Sequence, residues 1–152
     1  MVHSKDQVDQ FLRDAFFAVL TFLGTEGLVS QLMIFGHTVE GDLYLASQYD
    51  KEVFDPLASH PEVSILIYKE EEKLEDICQT NIIGQASLIE GVDNDEAKLA
   101  FEAIGEKSPA IGNVSYDQDS RYTLVKVEAK TITYITFGEL KENKAPTILK
   151  RA

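Results

Sequence analysis

Residues 16–47 read FFAVLTFLGTEGLVSQLMIFGHTVEGDLYLAS. Runs of branched and aromatic residues are cut twice by glycine-bearing segments, Gly24-Thr25-Glu26-Gly27 and Val39-Glu40-Gly41-Asp42. Valine, isoleucine, phenylalanine and threonine suit a pleated, half-buried surface, and glycine supplies the backbone conformations of tight turns. The stretch predicts three strands, over residues 16–23, 28–37 and 43–47. Connections this short join antiparallel neighbours, because a parallel return needs a crossover of about a dozen residues or more. The alternation of polar and apolar residues is imperfect. Several positions are therefore expected to be buried on both faces, as in a closed barrel or a dimer.

Upstream, Ser4 followed by Gln7 makes a capping-box pattern, and Val8, Phe11, Leu12 and Ala15 fall on one helical face. A short amphipathic helix is expected over residues 5–14, its apolar stripe laid across one mouth of the strands. Downstream, residues 50–60 break the β-pattern, with Val53, Phe54, Leu57 and Ala58 on one helical face. Proline is tolerated in a first helical turn, so this helix is expected to begin near Pro56 and to end at Pro61. Residues 63–68 read as a strand, and the charge run KEEEKLED over residues 69–76 reads as a solvated loop or hairpin tip.

Residues 77–90 are long enough for a full barrel strand, with Gly84 marking a bulge or a close backbone approach. Asp93 or Asn94 is placed to cap a helix reaching Ile104, with Ala97, Ala100, Phe101 and Ile104 on one face and Gly105 stopping it. Residues 106–120 read as irregular. Residues 122–128 and 131–137 read as two last strands separated by Ala129-Lys130, and the lysine-rich stretch from Gly138 as loosely ordered. The sum is a mainly β fold with peripheral helices, in which about six antiparallel strands close into a small barrel and so lose their exposed edges. One domain is expected over residues 1–140, with a polar tail over residues 141–152.

Composition agrees with a single domain. A chain of 152 residues with 44% apolar content has enough core to fold without staples. Cys78 is the one cysteine, which excludes an intrachain disulfide and a zinc site built on several thiolates, and a reducing, cytoplasmic compartment is expected. The net charge of −12 repels phosphate backbones and anionic membrane surfaces, so neither nucleic acid nor a membrane is an expected partner. Such acidity otherwise serves solubility. The apolar run over residues 15–23 is too short to span a bilayer, and the three aspartates within residues 1–14 do not fit a secretory signal.

Most chemistry-bearing patterns are missing. His3, His37 and His60 are scattered, with no second histidine at helical or strand spacing, so no metal site is expected. There is no nucleophile elbow, phosphate loop or Rossmann glycine pattern, and the carboxylates lie in exposed runs. Lys51 stands apart. It follows a strand and opens a helix, where backbone N–H groups, the hydroxyls of Ser47 and Tyr49 and one ammonium would together make an anion cradle. Spacing alone also allows Lys51 as a surface lysine and Ser47 as a turn residue.

Leu45-Ala46-Ser47, Tyr49-Asp50-Lys51, Leu57, His60-Pro61 and Val63-Ser64-Ile65 follow one another in order, and Gln79 comes five residues before Gly84. With the N-terminal helix and the Val-Leu-Thr strand ahead of them, this order resembles the flavin-binding split-barrel family typified by pyridoxamine 5′-phosphate oxidase. The likeness runs over residues 8–137. It implies a six-stranded antiparallel split barrel of the FMN-binding type. By the same resemblance Ser47, Tyr49 and Lys51 would contact the flavin phosphate. Met33, Ile34 and Phe35 would run their backbone along the isoalloxazine ring, and Gln79 would reach the polar part of the cofactor. The groove would lie at the two-fold interface of a homodimer.

The chain departs from the family's oxidases where they carry arginines: it has Val29-Ser30-Gln31, Tyr49-Asp50, Cys78 and Asn81. It also ends without their arginine-x-histidine signature. The resemblance therefore implies a divergent member and not a true pyridoxamine phosphate oxidase. It points to an FMN-dependent oxidoreductase acting on a small molecule, with no side chain needed as a catalytic acid. Two alternatives stand beside it. One is a non-enzymatic split-barrel dimer with a regulatory or stress role. The other is a carrier of haem or a deazaflavin, for which His37 and His60 are the candidate iron ligands.

Overall fold

The computed structural model describes residues 3–38, 41–90, 95–107 and 122–151. Helix α1 (Lys5–Asp14) starts as its sequence dictates. Ser4 Oγ accepts the Gln7 N–H at 3.2 Å, and Gln7 Oε1 accepts the Ser4 N–H at 2.8 Å, so two amide donors at the helix start are satisfied reciprocally. Its buried Val8, Phe11 and Leu12 join Ala15 in the main core.

The strands are β1 (Phe17–Gly24), β2 (Gly27–His37), β3 (Asp42–Ser47), β4 (Glu62–Lys69), β5 (Cys78–Ile89), β6 (Thr123–Thr136) and β7 (Thr147–Lys150). Every pairing is antiparallel. Six strands lie in the order β3-β2-β1-β4-β5-β6, and β3 pairs with β6 to close the barrel. The chain is thus mainly β, a closed six-stranded antiparallel barrel with one added strand and peripheral helices. Phe22, Phe35, Phe54, Leu20, Leu45 and Ile65 are among the fully buried side chains of the interior.

Strand β6 corrects the expectation of two strands broken at Ala129-Lys130. It runs unbroken for 14 residues because β5 pairs along almost all of it. Ile83 pairs with Thr131 and Gly84 with Ala129, which leaves Lys130 as the extra residue of a bulge. Gly84 is required there, since an added Cβ would run into the Glu128 carbonyl oxygen. On its other edge β6 changes partner at the bulge: residues 123–128 pair with β3, and residues 131–134 pair with β7.

Two other expectations change. Residues 51–58 form a 3-10 helix, Lys51–Ala58, with Pro56 inside it and not at its start. Proline has no N–H for an i→i−4 bond, which disfavours the α-helical ladder at that point. The stretch from Gly138 is ordered. Thr136 and Glu139 form a second capping box that starts α3 (Phe137–Lys141), and the chain then returns as β7. Buried Thr147 ties this strand to the N-terminal segment, its Oγ1 accepting the His3 N–H at 2.9 Å. Lys73 precedes a short 3-10 turn, Leu74–Asp76, so the charge run is an exposed hairpin tip as expected.

Helix α2 (Asp95–Gly105) covers the outside of β2, β3 and β6, its Ala97, Ala100, Phe101 and Ile104 packing on Tyr44, Ala46 and Leu124 in a second core. Gly36 permits this approach: a Cβ there would lie 2.5 Å from the Ala103 carbonyl carbon. The expected caps Asp93 and Asn94 lie outside the described residues, as does most of the segment expected to be irregular. No described helix is long and apolar enough to cross a membrane.

Candidate functional site

Strand β2 is longer than its partner β3. One edge pairs with β1 over residues 27–34, but the other pairs with β3 only over residues 34–37. Residues 28–33 therefore present a strand edge that pairs with no strand among the described residues. Ile34 faces Ala46, so the register sets Met33 and Ser47 beside each other where β3 leaves the sheet.

The chain turns away at that point under two hydrogen bonds. Ser47 Oγ accepts the Tyr49 N–H at 3.0 Å, and Thr123 Oγ1 donates to the Tyr49 carbonyl oxygen at 2.7 Å. Together they fix residues 47–49 and bring Lys51 in as the first residue of the 3-10 helix. Ser47 is buried, whereas Tyr49, Asp50 and Lys51 are exposed. Lys51 makes no ion pair among the described residues. The corner thus offers one hydroxyl, one phenol, one ammonium and open strand amides, with the Asp50 carboxylate close by.

The other residues read from sequence fall differently. Met33 and Phe35 bury their side chains in the core, and Ile34 packs against the second core. Ile34 and Phe35 are paired on both sides, so of these three only Met33 lies on the open backbone edge. Gln79 is half-buried on β5, between Tyr68 of β4 and Ile135 of β6. Strand β6 lies between β5 and β3 in the closed barrel, and the two residues meet its opposite ends: Gln79 faces Ile135, whereas Ser47 faces Thr123, roughly 36 Å away along the strand at the usual rise per residue. One chain does not bring Gln79 together with Ser47 and Lys51.

An apolar row on the outer face went unread as such in the sequence. Leu32, Val19 and Leu66 stand in register across β2, β1 and β4, flanked by Phe17 and Tyr68. Leu32 is 63% exposed and Phe17 52% exposed. The signal was the run of apolar residues at both parities in β1 and β4, which pointed to burial on both faces without saying against what.

The two candidate iron ligands differ in setting. His60 is exposed at the end of the 3-10 helix. His37 is buried; burial pulls its pKa below the ordinary histidine value, with Asp9 pulling the other way. No cluster of three metal-ligating side chains occurs among the described residues.

No protein-family model matches the chain, and no curated protein matches it. Solved structures do match. Conserved hypothetical protein Rv2991 from Mycobacterium tuberculosis superposes with a TM-score of 0.70 at 16% identity, covering 93% of this chain and 89% of its own. HutZ, the heme storage protein from Vibrio cholerae, gives 0.66 at 16% identity over 87% of this chain and 93% of its own. A candidate pyridoxamine 5′-phosphate oxidase from Listeria innocua gives 0.62 at 21% identity over 88% and 97%. These likenesses establish the fold.

Proposed function

The chain has the split-barrel fold that these structures share, and we propose that it works as a homodimeric flavoprotein. FMN would lie with its phosphate at Ser47, Tyr49 and Lys51 and its ring along the open edge of β2. The observation that carries this reading is that edge, residues 28–33, beginning beside Ser47. Unpaired strand amides are hydrogen-bond donors of fixed direction, suited to the carbonyl edge of a planar ring. Ser47 Oγ uses an acceptor lone pair on the Tyr49 amide, which leaves its proton for a phosphate oxygen.

A second copy completes the site in this reading. It covers the apolar row of Leu32, Val19 and Leu66, and it brings a Gln79 that the first copy holds too far away. Bound flavin supplies the electron transfer; the chain positions the ring and shields it from water. The test is a titration with FMN followed by flavin fluorescence quenching. Saturable binding at about 10 μM or tighter supports the reading, and Lys51→Ala weakens it roughly tenfold to a hundredfold, the loss of one charge-assisted hydrogen bond. A folded protein that leaves FMN fluorescence unchanged overturns it.

A haem carrier is the second reading, favoured by the likeness to HutZ and by the exposed apolar row. His60, exposed, is its axial candidate; His37 is walled in. A haemin titration whose Soret band sharpens and shifts, and no longer does so in His60→Ala, supports this reading over the first.

A further inference from the structure

A half-open cavity of about 330 Å³ lies at the opposite end of β3 from Ser47, bordered by α1, Gly41, the bulge of β6 and strand β7. Its volume is at the lower end of the range for small-molecule sites. The floor is apolar, with Ala129, Ile132 and Leu149, and Ile148 borders the rim from the opposite face of β7. Ile132 and Leu149 pack on the main core beneath, while Ile148 is 54% exposed.

The rim is basic. Lys5, Lys130, Lys150 and Arg151 line it, with Asp9 as its one carboxylate. Lys5 Nζ holds Asp9 Oδ2 at 2.6 Å, and Arg151 donates to Asp42 Oδ1 at 2.6 Å, so these four groups are already paired. Lys130 and Lys150 form no ion pair among the described residues. Lys130 is the bulged residue of β6, and its carbonyl oxygen accepts the Arg151 N–H, so the irregularity in the ladder sets a lysine at the mouth. In a chain with a net charge of −12, two lysines without a carboxylate partner stand together at this mouth.

His37 borders the cavity but keeps its side chain closed off, 4% exposed, with Nε2 3.9 Å from Asp9 Oδ1.

We propose that this cavity binds a small carboxylate with an apolar body, the carboxylate at Lys130 and Lys150 and the tail against Ala129, Ile132 and Leu149. The site is separate from the Ser47 corner. Strand β3 runs between them, about 17 Å at the usual rise per residue.

The experiment titrates sodium octanoate into the whole protein and follows the isoleucine methyl groups by NMR, with 1-octanol as the uncharged comparator. Saturable shifts at Ile132, unchanged Ile65 and Ile67, and weaker binding of octanol support the proposal. The double variant K130E/K150E, both positions exposed, then loses octanoate affinity roughly tenfold while octanol binding is unaltered. Absent shifts overturn the proposal. So do shifts confined to Ile83 on the outer face, unchanged octanoate affinity in the double variant, or displacement of octanoate by FMN.

Discussion

The Lys107 ammonium lies 3.3 Å from the centroid of the Phe35 ring. The same nitrogen donates to the Leu12 carbonyl oxygen at 2.6 Å and to the Ala15 carbonyl oxygen at 2.8 Å. One side chain just beyond α2 thus closes the carbonyl end of α1, where helices leave acceptors unpaired, and covers a core aromatic of β2.

Burial pulls the Lys107 pKa down to about 7, against the pull of Asp14 and Glu106 in the other direction. An unfolded lysine keeps its proton to about 10.4, so between these values the unfolded chain binds more protons than the folded one. Stability therefore rises as pH goes from about 7 to 9, and urea denaturation at the two pH values measures the rise. Lys107→Met flattens it. At neutral pH the same variant leaves two carbonyl groups without a donor and costs about 1–3 kcal/mol.

Gly36→Ala puts a methyl group against the backbone of α2, 2.5 Å from the Ala103 carbonyl carbon. The helix is forced off Tyr44 and Ala46, at a cost of about 1–3 kcal/mol. Gly27→Ala is the contrast. No atom crowds that site, and its cost comes from a φ of +128°. Thermal denaturation of both separates the two mechanisms: near-UV circular dichroism changes in the Gly36 variant and is retained in the Gly27 variant.

A double variant Leu32→Lys, Leu66→Lys charges the exposed apolar row without touching the barrel interior. If a second copy covers this face, sedimentation velocity shows a dimer for the parent and a monomer for the variant. Unfolding of the isolated barrel moves by less than about 1 kcal/mol, as for surface substitutions in general.

Burial raises the Cys78 thiol above its ordinary pKa, and the hydrogen bond from Tyr134, at 2.9 Å, opposes that rise. The thiolate is the reactive form. Alkylation by iodoacetamide at pH 8 is therefore slower than in the urea-unfolded chain. Tyr134→Phe removes the opposing hydrogen bond and slows alkylation further, which a rate measured against pH reads as an upward shift.

Local features were legible because they are written in neighbouring residues. The Ser4–Gln7 capping box set the start of α1, and the periodicity of Val8, Phe11 and Leu12 set its buried face. The apolar runs around Gly24-Thr25-Glu26-Gly27 set the first hairpin, whose two chains meet at Gly24 and Gly27. Gly84 announced a bulge or a close approach and proved to be both. Pro56 misled because a proline that starts an α-helix and one that sits inside a 3-10 helix look alike in sequence. Ala129-Lys130 misled because a weak β-former pair marks a turn or a bulge equally well; pairing with β5 decides between them.

By itself the sequence determined the start of α1, the first three strands and their antiparallel pairing, and that Lys51 follows Ser47 into a turn. Tertiary structure decided that β3 meets β6, that β6 passes from β3 to β7 at Lys130, and that β2 keeps an open edge beside Ser47. The physical reason is range. Turn chemistry and side-chain periodicity act over a few residues, whereas strand partners, open edges and cavities arise from contacts between segments far apart in the chain.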